Sequence, residues 1–269
     1  MTKAWEGVLH IPLEGRTAKP RKEGLTMVID KGIGLESIKD LIQIAGDYID
    51  IIKLTFGTSA FYDQNLLKEK NEIITSAHID VMPGGTFLEV AVWQGVFEDY
   101  LNKAKELGFS ALEVSDGTID IDRTTRKDII KKSIDGGFRV ITEVGKKDPA
   151  EVLPISLIHQ LIREDMENGA LKVIIEAREA GKGVGIYDQT GKILEEEIDN
   201  ITAGVDDLNC LIWEAPLKNQ QQALILRFGP NVNLGNIPEE EVLSLEALRQ
   251  GLRGDTLKKA YLERKEWKD

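Results

Sequence analysis

The sequence predicts a single (β/α)8 barrel of the TIM class over residues 1–269, and three observations carry that prediction. Short apolar, β-branched runs recur along the chain, each followed by a stretch with helical spacing, which is the repeat of a parallel sheet. Eight such units fit, mostly about 25 to 40 residues apart, in a chain of the length usual for this barrel. A doubly wound open sheet is the alternative, but it normally carries a phosphate fingerprint after its first strand. The run Asp30, Lys31, Gly32, Ile33, Gly34 is not GxGxxG.

Residues 1–24 are basic and lack clean periodicity, so they read as an N-terminal arm that caps the fold, with Arg16 and Arg21 as alternative substrate ligands. Strand one is expected at 25–30, followed by a helix at 35–45 opened by Gly32 and Gly34. Strand two spans 48–55, where Ile49, Ile51, Lys53 and Thr55 share one face, and a helix follows at 63–76. The short third strand, 79–82, ends in PGGT before one long helix at 87–107. Strands from Ala111, Phe138 and Leu171 alternate with helices at 123–135 and 153–167. The glycine-rich excursion GKGVGIYDQTGKI precedes a helix at 195–203 and a strand from Asn209. A short helix at 218–222, an eighth strand ALILRFG, a loop PNVNLGNI and helices from Pro238 onward complete the expectation.

A net charge of −12 argues against nucleic acid, whose phosphates are bound by basic faces. It leaves room for a small anionic substrate held by lysines and arginines gathered in one cleft. No apolar run approaches the roughly 18 residues of a membrane span, and the start has no signal-peptide core, so a cytoplasmic protein is expected. The lone Cys210 reads as a buried inert thiol. His10, His78 and His159 are too scattered to form a metal set, and GxSxG, HExxH, Walker A and paired CxxC motifs are absent.

The chemistry concentrates at four strands. ALEVS, VITEV, VIIEAR and LIWEAP each deliver one glutamate at or near a strand end: Glu113, Glu143, Glu176 and Glu214. A buried carboxylate is costly unless it is paired or ligates a metal. Clustered carboxylates ionise together only beside cations, so a divalent metal with oxygen ligands, most simply Mg²⁺, is expected with lysines. Strand alternation sends Glu113 and Ser115 inward opposite to Leu112 and Val114, and groups Glu143 with Ile141, Arg178 with Glu176, and Glu214 with Ile212. The basic side falls to Lys53, Lys146, Lys147, Arg178 and Lys182. Glycine clusters at Gly57–Thr58, Gly84–Gly85 and Gly229 to Asn236, with Asn231 and Asn233 among them, are expected to offer backbone amides to an anion.

The stretches GLTMVIDKG, YIDIIKLTFGTSA, PGGTFLE, ALEVSDGT, ITEVGKKD, IIEAREAGKG, IWEAPLKNQQ and FGPNVNLGNI, followed by LEALRQGLRGDT, together resemble the phosphosulfolactate synthase family over nearly the whole chain. The resemblance implies a (β/α)8 barrel enzyme that adds sulfite to phosphoenolpyruvate with Mg²⁺, giving 2-phospho-3-sulfolactate, the first step of one route to coenzyme M. It also suggests a homo-oligomer, a trimer or higher. By resemblance Lys147 is the general acid, with Lys146 as its alternate, and a lysine acidified by neighbouring cations suits that role. Lys53, Arg178, Ser115 and the glycine-rich amides are expected to bind phosphate and carboxylate, and the four glutamates to hold the metal directly or through water. The chain departs from the family around Leu54, Thr55 and Phe56, where members often carry aromatic residues. Two other readings compete: a Schiff-base aldolase with Lys53 or Lys147 as nucleophile, and a non-catalytic stress-associated relative.

Overall fold

In the computed structural model, which describes residues 3–178 and 180–263, the apolar runs pair as one parallel sheet that curls into a nearly closed barrel. Among the described residues its strands are β1 (Thr26–Asp30), β2 (Ile51–Leu54), β3 (Asp80–Pro83), β4 (Ala111–Val114), β5 (Arg139–Val144), β6 (Lys172–Ile175), β7 (Leu211–Glu214) and β8 (Leu234–Pro238). They pair in the order β3-β2-β1-β8-β7-β6-β5-β4. The seam between β3 and β4 is bridged by Ser110, whose backbone N–H donates to Val81 O at 3.1 Å and whose Oγ accepts from Val81 N at 2.9 Å.

Helices surround the sheet: α1 (Leu35–Ala45), α2 (Gln64–Ser76), α3 (Gly85–Trp93), α4 (Phe97–Glu106), α5 (Arg123–Asp135), α6 (Ile155–Glu167), α7 (Glu195–Thr202), α8 (Lys218–Phe228), α9 (Val242–Arg249) and α10 (Gly254–Glu263). The starts of α2 and α5 are legible because Asp63 and Asp122 each accept from two backbone N–H groups of the first turn. The single helix expected at 87–107 is instead two, α3 and α4, because Gly95 takes a φ of 71° and breaks the run.

A larger correction concerns the eighth strand. ALILRFG lies inside α8, where Gln220, Gln221, Leu224 and Ile225 are buried at helical spacing and Gly229, at φ 89°, ends the helix. The strand itself is LGNIP, within what reads as a loop. The segment from Gly229 to Asn233 therefore lies before β8, at the amino-terminal end of the barrel. There Asn233 Oδ1 accepts from Leu25 N at 2.9 Å, and Asn231 Oδ1 accepts from Thr17 N at 3.1 Å. The arm crosses the same end: Arg16 pairs with Glu246 at 3.0 Å and Arg21 with Asp50 at 3.1 Å, so neither reaches the mouth.

Strand alternation divides the core. Val28, Ile52, Leu112, Val173 and Trp213 pack outward against the helices. Ile49, expected on the inner face of strand two, precedes β2 and joins this outer core. Inside, Met27, Ile51, Met82, Ala111, Ile141, Ile174 and Ile212 form one buried layer, a residue from each of β1 to β7. The eighth place belongs to Gly235, where a Cβ would meet Met27 Cε at 2.6 Å and Ile212 Cγ2 at 3.1 Å. This apolar plug separates the two ends of the barrel. Replacing Gly235 with Ala should overpack it and cost about 1–3 kcal/mol, read as a lower urea midpoint at constant slope. An unchanged midpoint would show that the plug has slack.

Candidate active site

Two residues beyond each plug residue, the same alternation points Ile29, Lys53, Gly84, Glu113, Glu143, Glu176 and Glu214 into the mouth. They line a cavity of about 450 Å³, together with Thr55, Phe56, Gly85, Thr86, Lys147, Arg178, Ala180, Lys182 and Asn236. The four glutamates are no more than 2% exposed. With Lys53 and Lys147 as the ammonium groups among them, full ionisation leaves four negative charges against two positive.

Lys53 Nζ stands 2.8 Å from Glu113 Oε2, 3.3 Å from Glu214 Oε1 and 3.8 Å from Glu143 Oε2. Lys147 Nζ bridges Glu143 Oε1 and, at 2.7 Å, Glu176 Oε2. Backbone donors hold the remaining oxygens: Gly85 N reaches Glu113 Oε1 at 2.8 Å, Ala177 N reaches Glu214 Oε2 at 2.9 Å, and Arg178 N reaches Glu176 Oε1 at 2.5 Å. Gly145, at φ 135°, keeps room for Glu176, whose Cβ would lie 2.6 Å from any Cβ added there. Gly117 similarly makes way for Lys147, whose Nζ would lie 2.9 Å from an added Cβ.

The imbalance of charge shows in the acidities. Burial, then the carboxylates of Glu143 and Glu214, push Glu176 well above the usual glutamate range. Burial pushes Glu113 up to about 7 despite Lys53. Glu143 goes the other way: burial would raise it, but Lys147 and then Lys53 hold it below the ordinary value. Burial would lower both lysines, yet the surrounding glutamates raise them above a normal lysine. The expectation that neighbouring cations acidify Lys147 is thus overturned, because its immediate neighbours are carboxylates.

One oxygen from each of Glu143, Glu176 and Glu214 lies within 4.8 Å of the others, a group that could hold a metal ion. The donor set is three carboxylates, all oxygen donors, which suits a hard divalent cation. Glu113 stands outside this trio, tied to Lys53 and Gly85 N.

Residues 14–255 match the family described as (2R)-phospho-3-sulfolactate synthase. The chain belongs to that family. The phosphosulfolactate synthase of Methanocaldococcus jannaschii is 48% identical over 240 residues, covering 88% of this chain and 95% of that one. The phosphosulfolactate synthase of Methanothermobacter thermautotrophicus is 45% identical over 249 residues, covering 92% and 96%. Among solved structures, the YdjI aldolase of Escherichia coli K12 has a TM-score of 0.52 at 12% identity over 90% of each chain, a likeness of fold alone.

In this phosphosulfolactate synthase family member, several expected site residues lie elsewhere. Lys146 turns out of the cavity, its Nζ 2.9 Å from both Asp116 O and Asp120 Oδ1. Ser115 Oγ donates to Glu89 Oε1 at 2.6 Å, behind the mouth. Gly57 packs over the Phe87 ring and Thr58 Oγ1 donates to Thr55 O, so that Thr55 and Phe56 face the cavity instead. Gly229, Asn231 and Asn233 lie towards the opposite end, as described for α8 and β8. Gly84, Gly85 and Arg178 do line the cavity.

Sequence reasoning named Asn236 only as the end of an amide-bearing loop, without its side chain, and missed Arg126. Asn236 enters the mouth through a strand irregularity that no periodicity signals. Arg126, buried in α5, donates to Glu143 O at 3.0 Å while pairing with Asp165 at 2.6 Å and Asp116 at 3.0 Å, which braces the β5 end and the β4–α5 loop. Its place on the inner face of an amphipathic helix was the available signal.

Glu113 has a folded-state pKa above the ordinary 4.5, so the stability associated with its protonated form is complete below that value and is lost as pH rises through about 7. In metal-free protein, Glu113→Gln should therefore flatten the fall of Tm between about pH 5 and 8. An unchanged slope would mean that Glu113 is ionised across that window.

Proposed function

We propose that the protein adds sulfite to the methylene carbon of phosphoenolpyruvate, giving (2R)-2-O-phospho-3-sulfolactate. The observation that carries this reading is the buried ring of four glutamates and two lysines, on a chain whose family is named for synthesis of that product. A carbon–sulfur bond forms at the methylene carbon, the π pair moves towards the substrate carboxylate as an enediolate-like species, and a proton then adds to the carbon bearing the phosphate.

Glu143, Glu176 and Glu214 would hold Mg²⁺, directly or through water, and Mg²⁺ when bound would supply electrophilic stabilisation of the charge developing on the carboxylate. Lys53 anchors Glu113 and Glu214 and so fixes the ring's geometry. Arg178, Lys182 and the amino-terminal turn of α3, begun at Gly84 and Gly85, face the cavity as the groups for phosphate and carboxylate. Lys147 delivers the proton from Nζ. Its raised pKa keeps it charged at every working pH, and an enediolate carbon is a far stronger base than any amine, so transfer runs downhill.

The same feature disfavours the Schiff-base aldolase. Imine formation needs a neutral amine, usually a lysine with lowered pKa, whereas the carboxylates keep Lys53 and Lys147 protonated. A non-catalytic role would give no reason to bury four carboxylates in one mouth, at the expense this entails. Among the described residues no helix is long and apolar enough to cross a membrane, and the proposed enzyme is a cytoplasmic homo-oligomer, a trimer or higher by the family resemblance.

Incubation with phosphoenolpyruvate, sulfite and Mg²⁺, followed by mass detection of the adduct, tests the reading. Product should form, stop on chelation and resume with added Mg²⁺; folded protein that makes no adduct would refute the assignment. Lys147→Ala should lower kcat by about 10²- to 10⁴-fold with an unchanged circular dichroism spectrum. Undiminished turnover would remove Lys147 from the mechanism.

A further inference from the structure

Four residues other than glycine have positive φ among the described residues: Phe56 (59°), His78 (56°), Arg178 (61°) and Asn236 (53°). Three of them, Phe56, Arg178 and Asn236, line the same cavity. Backbone in this region is sparsely populated and persists where surrounding structure enforces it, often at ligand sites.

Asn236 carries the observation furthest. The pairing of β1 with β8 shifts from Thr26↔Leu234 to Val28↔Ile237, so β8 contains one residue more than its partner. Gly235 faces the barrel interior. Unbroken alternation would next send Asn236 towards the helices and Ile237 into the mouth. The bulge reverses this: Ile237 is fully buried in the outer core, and Asn236, 4% exposed, lines the cavity. A carboxamide thereby stands where an isoleucine would otherwise be.

That carboxamide is not committed to the fold. Nδ2 lies 3.5 Å from Arg178 O, at the outer limit of a hydrogen bond, and the buried Oδ1 has no hydrogen-bond partner among the described residues. A buried amide oxygen without a donor is unfavourable, so both the irregular backbone and the idle oxygen call for a ligand.

We propose that Asn236 forms the subsite for the sulfur oxyanion, binding it as hydrogensulfite. This rests on the reading of the protein as a phosphosulfolactate synthase. Ionised phosphate and carboxylate groups only accept hydrogen bonds and would leave Oδ1 unpaired. Hydrogensulfite, abundant near neutral pH, offers oxygens to Nδ2–H and a hydroxyl to Oδ1. A neutral amide also adds no further negative charge to a mouth already crowded with glutamates.

Asn236→Gly tests the subsite, because glycine accepts a φ of 53° and removes only the side chain. The variant should keep or raise Tm, raise KM for sulfite by about tenfold or more, and leave KM for phosphoenolpyruvate within about twofold. Asn236→Asp, which has the same shape but only accepts once ionised, should raise KM for sulfite further. Calorimetric titrations of sulfite and of phosphoenolpyruvate into each protein should show the same split without turnover. An unchanged KM for sulfite overturns the proposal, as does a rise confined to phosphoenolpyruvate. If the wild-type protein forms no adduct, the enzymatic reading itself fails, whereas an active wild type with an unaffected Gly variant removes only the subsite.

Discussion

Four carboxylates share a buried mouth with two ammonium groups, and the rest of the barrel is arranged around that imbalance. Each lysine is held by at least two glutamates, so no pair is independent of the others. Lys53 ties β2 to β4 and β7 across the barrel, and Lys147 ties the β5 end to β6. Two carboxylates respond by rising in pKa, while Glu143, placed between both lysines, falls. Such a set is poised to take up positive charge, and Glu143, Glu176 and Glu214 form a group that could hold a metal ion.

The fold makes this arrangement possible through two stacked layers. The plug of Met27, Ile51, Met82, Ala111, Ile141, Ile174 and Ile212, completed by Gly235, excludes water from below. The polar ring sits one pleat higher, where low polarity beneath strengthens every interaction among the charges. Glycines at 85, 117 and 145 stand where a side chain would collide with Glu113, Lys147 or Glu176. Backbone conformation in the connecting loops is thus subordinate to the placement of these side chains.

Much of this was legible in the sequence. A period of two, applied to the short runs ending in glutamate, correctly turns Glu113, Glu143, Glu176, Glu214 and Lys53 to one side, because buried parallel strands keep strict alternation. The failures have equally local causes. LGNIP is too short and too rich in glycine, asparagine and proline to read as a strand, while ALILRF offers an apolar run that is really the buried stripe of α8. That exchange moved Asn231 and Asn233 to the wrong end of the barrel and concealed Asn236, whose inward turn depends on a bulge. Between the adjacent Lys146 and Lys147 nothing in composition decides; Asp116 and Asp120 draw the first away and Glu143 and Glu176 claim the second.

The central claim is that the glutamates on β5, β6 and β7 form a cation site in the mouth. Mn²⁺, which accepts the same oxygen ligands as Mg²⁺ and scatters anomalously, reports it directly in a soaked crystal. The account predicts one anomalous peak within roughly 2–2.5 Å of oxygens from Glu143, Glu176 and Glu214 or of waters bound to them. A peak elsewhere, or an occupied mouth in which Lys147 still bridges Glu143 and Glu176 with no metal between the carboxylates, would contradict it.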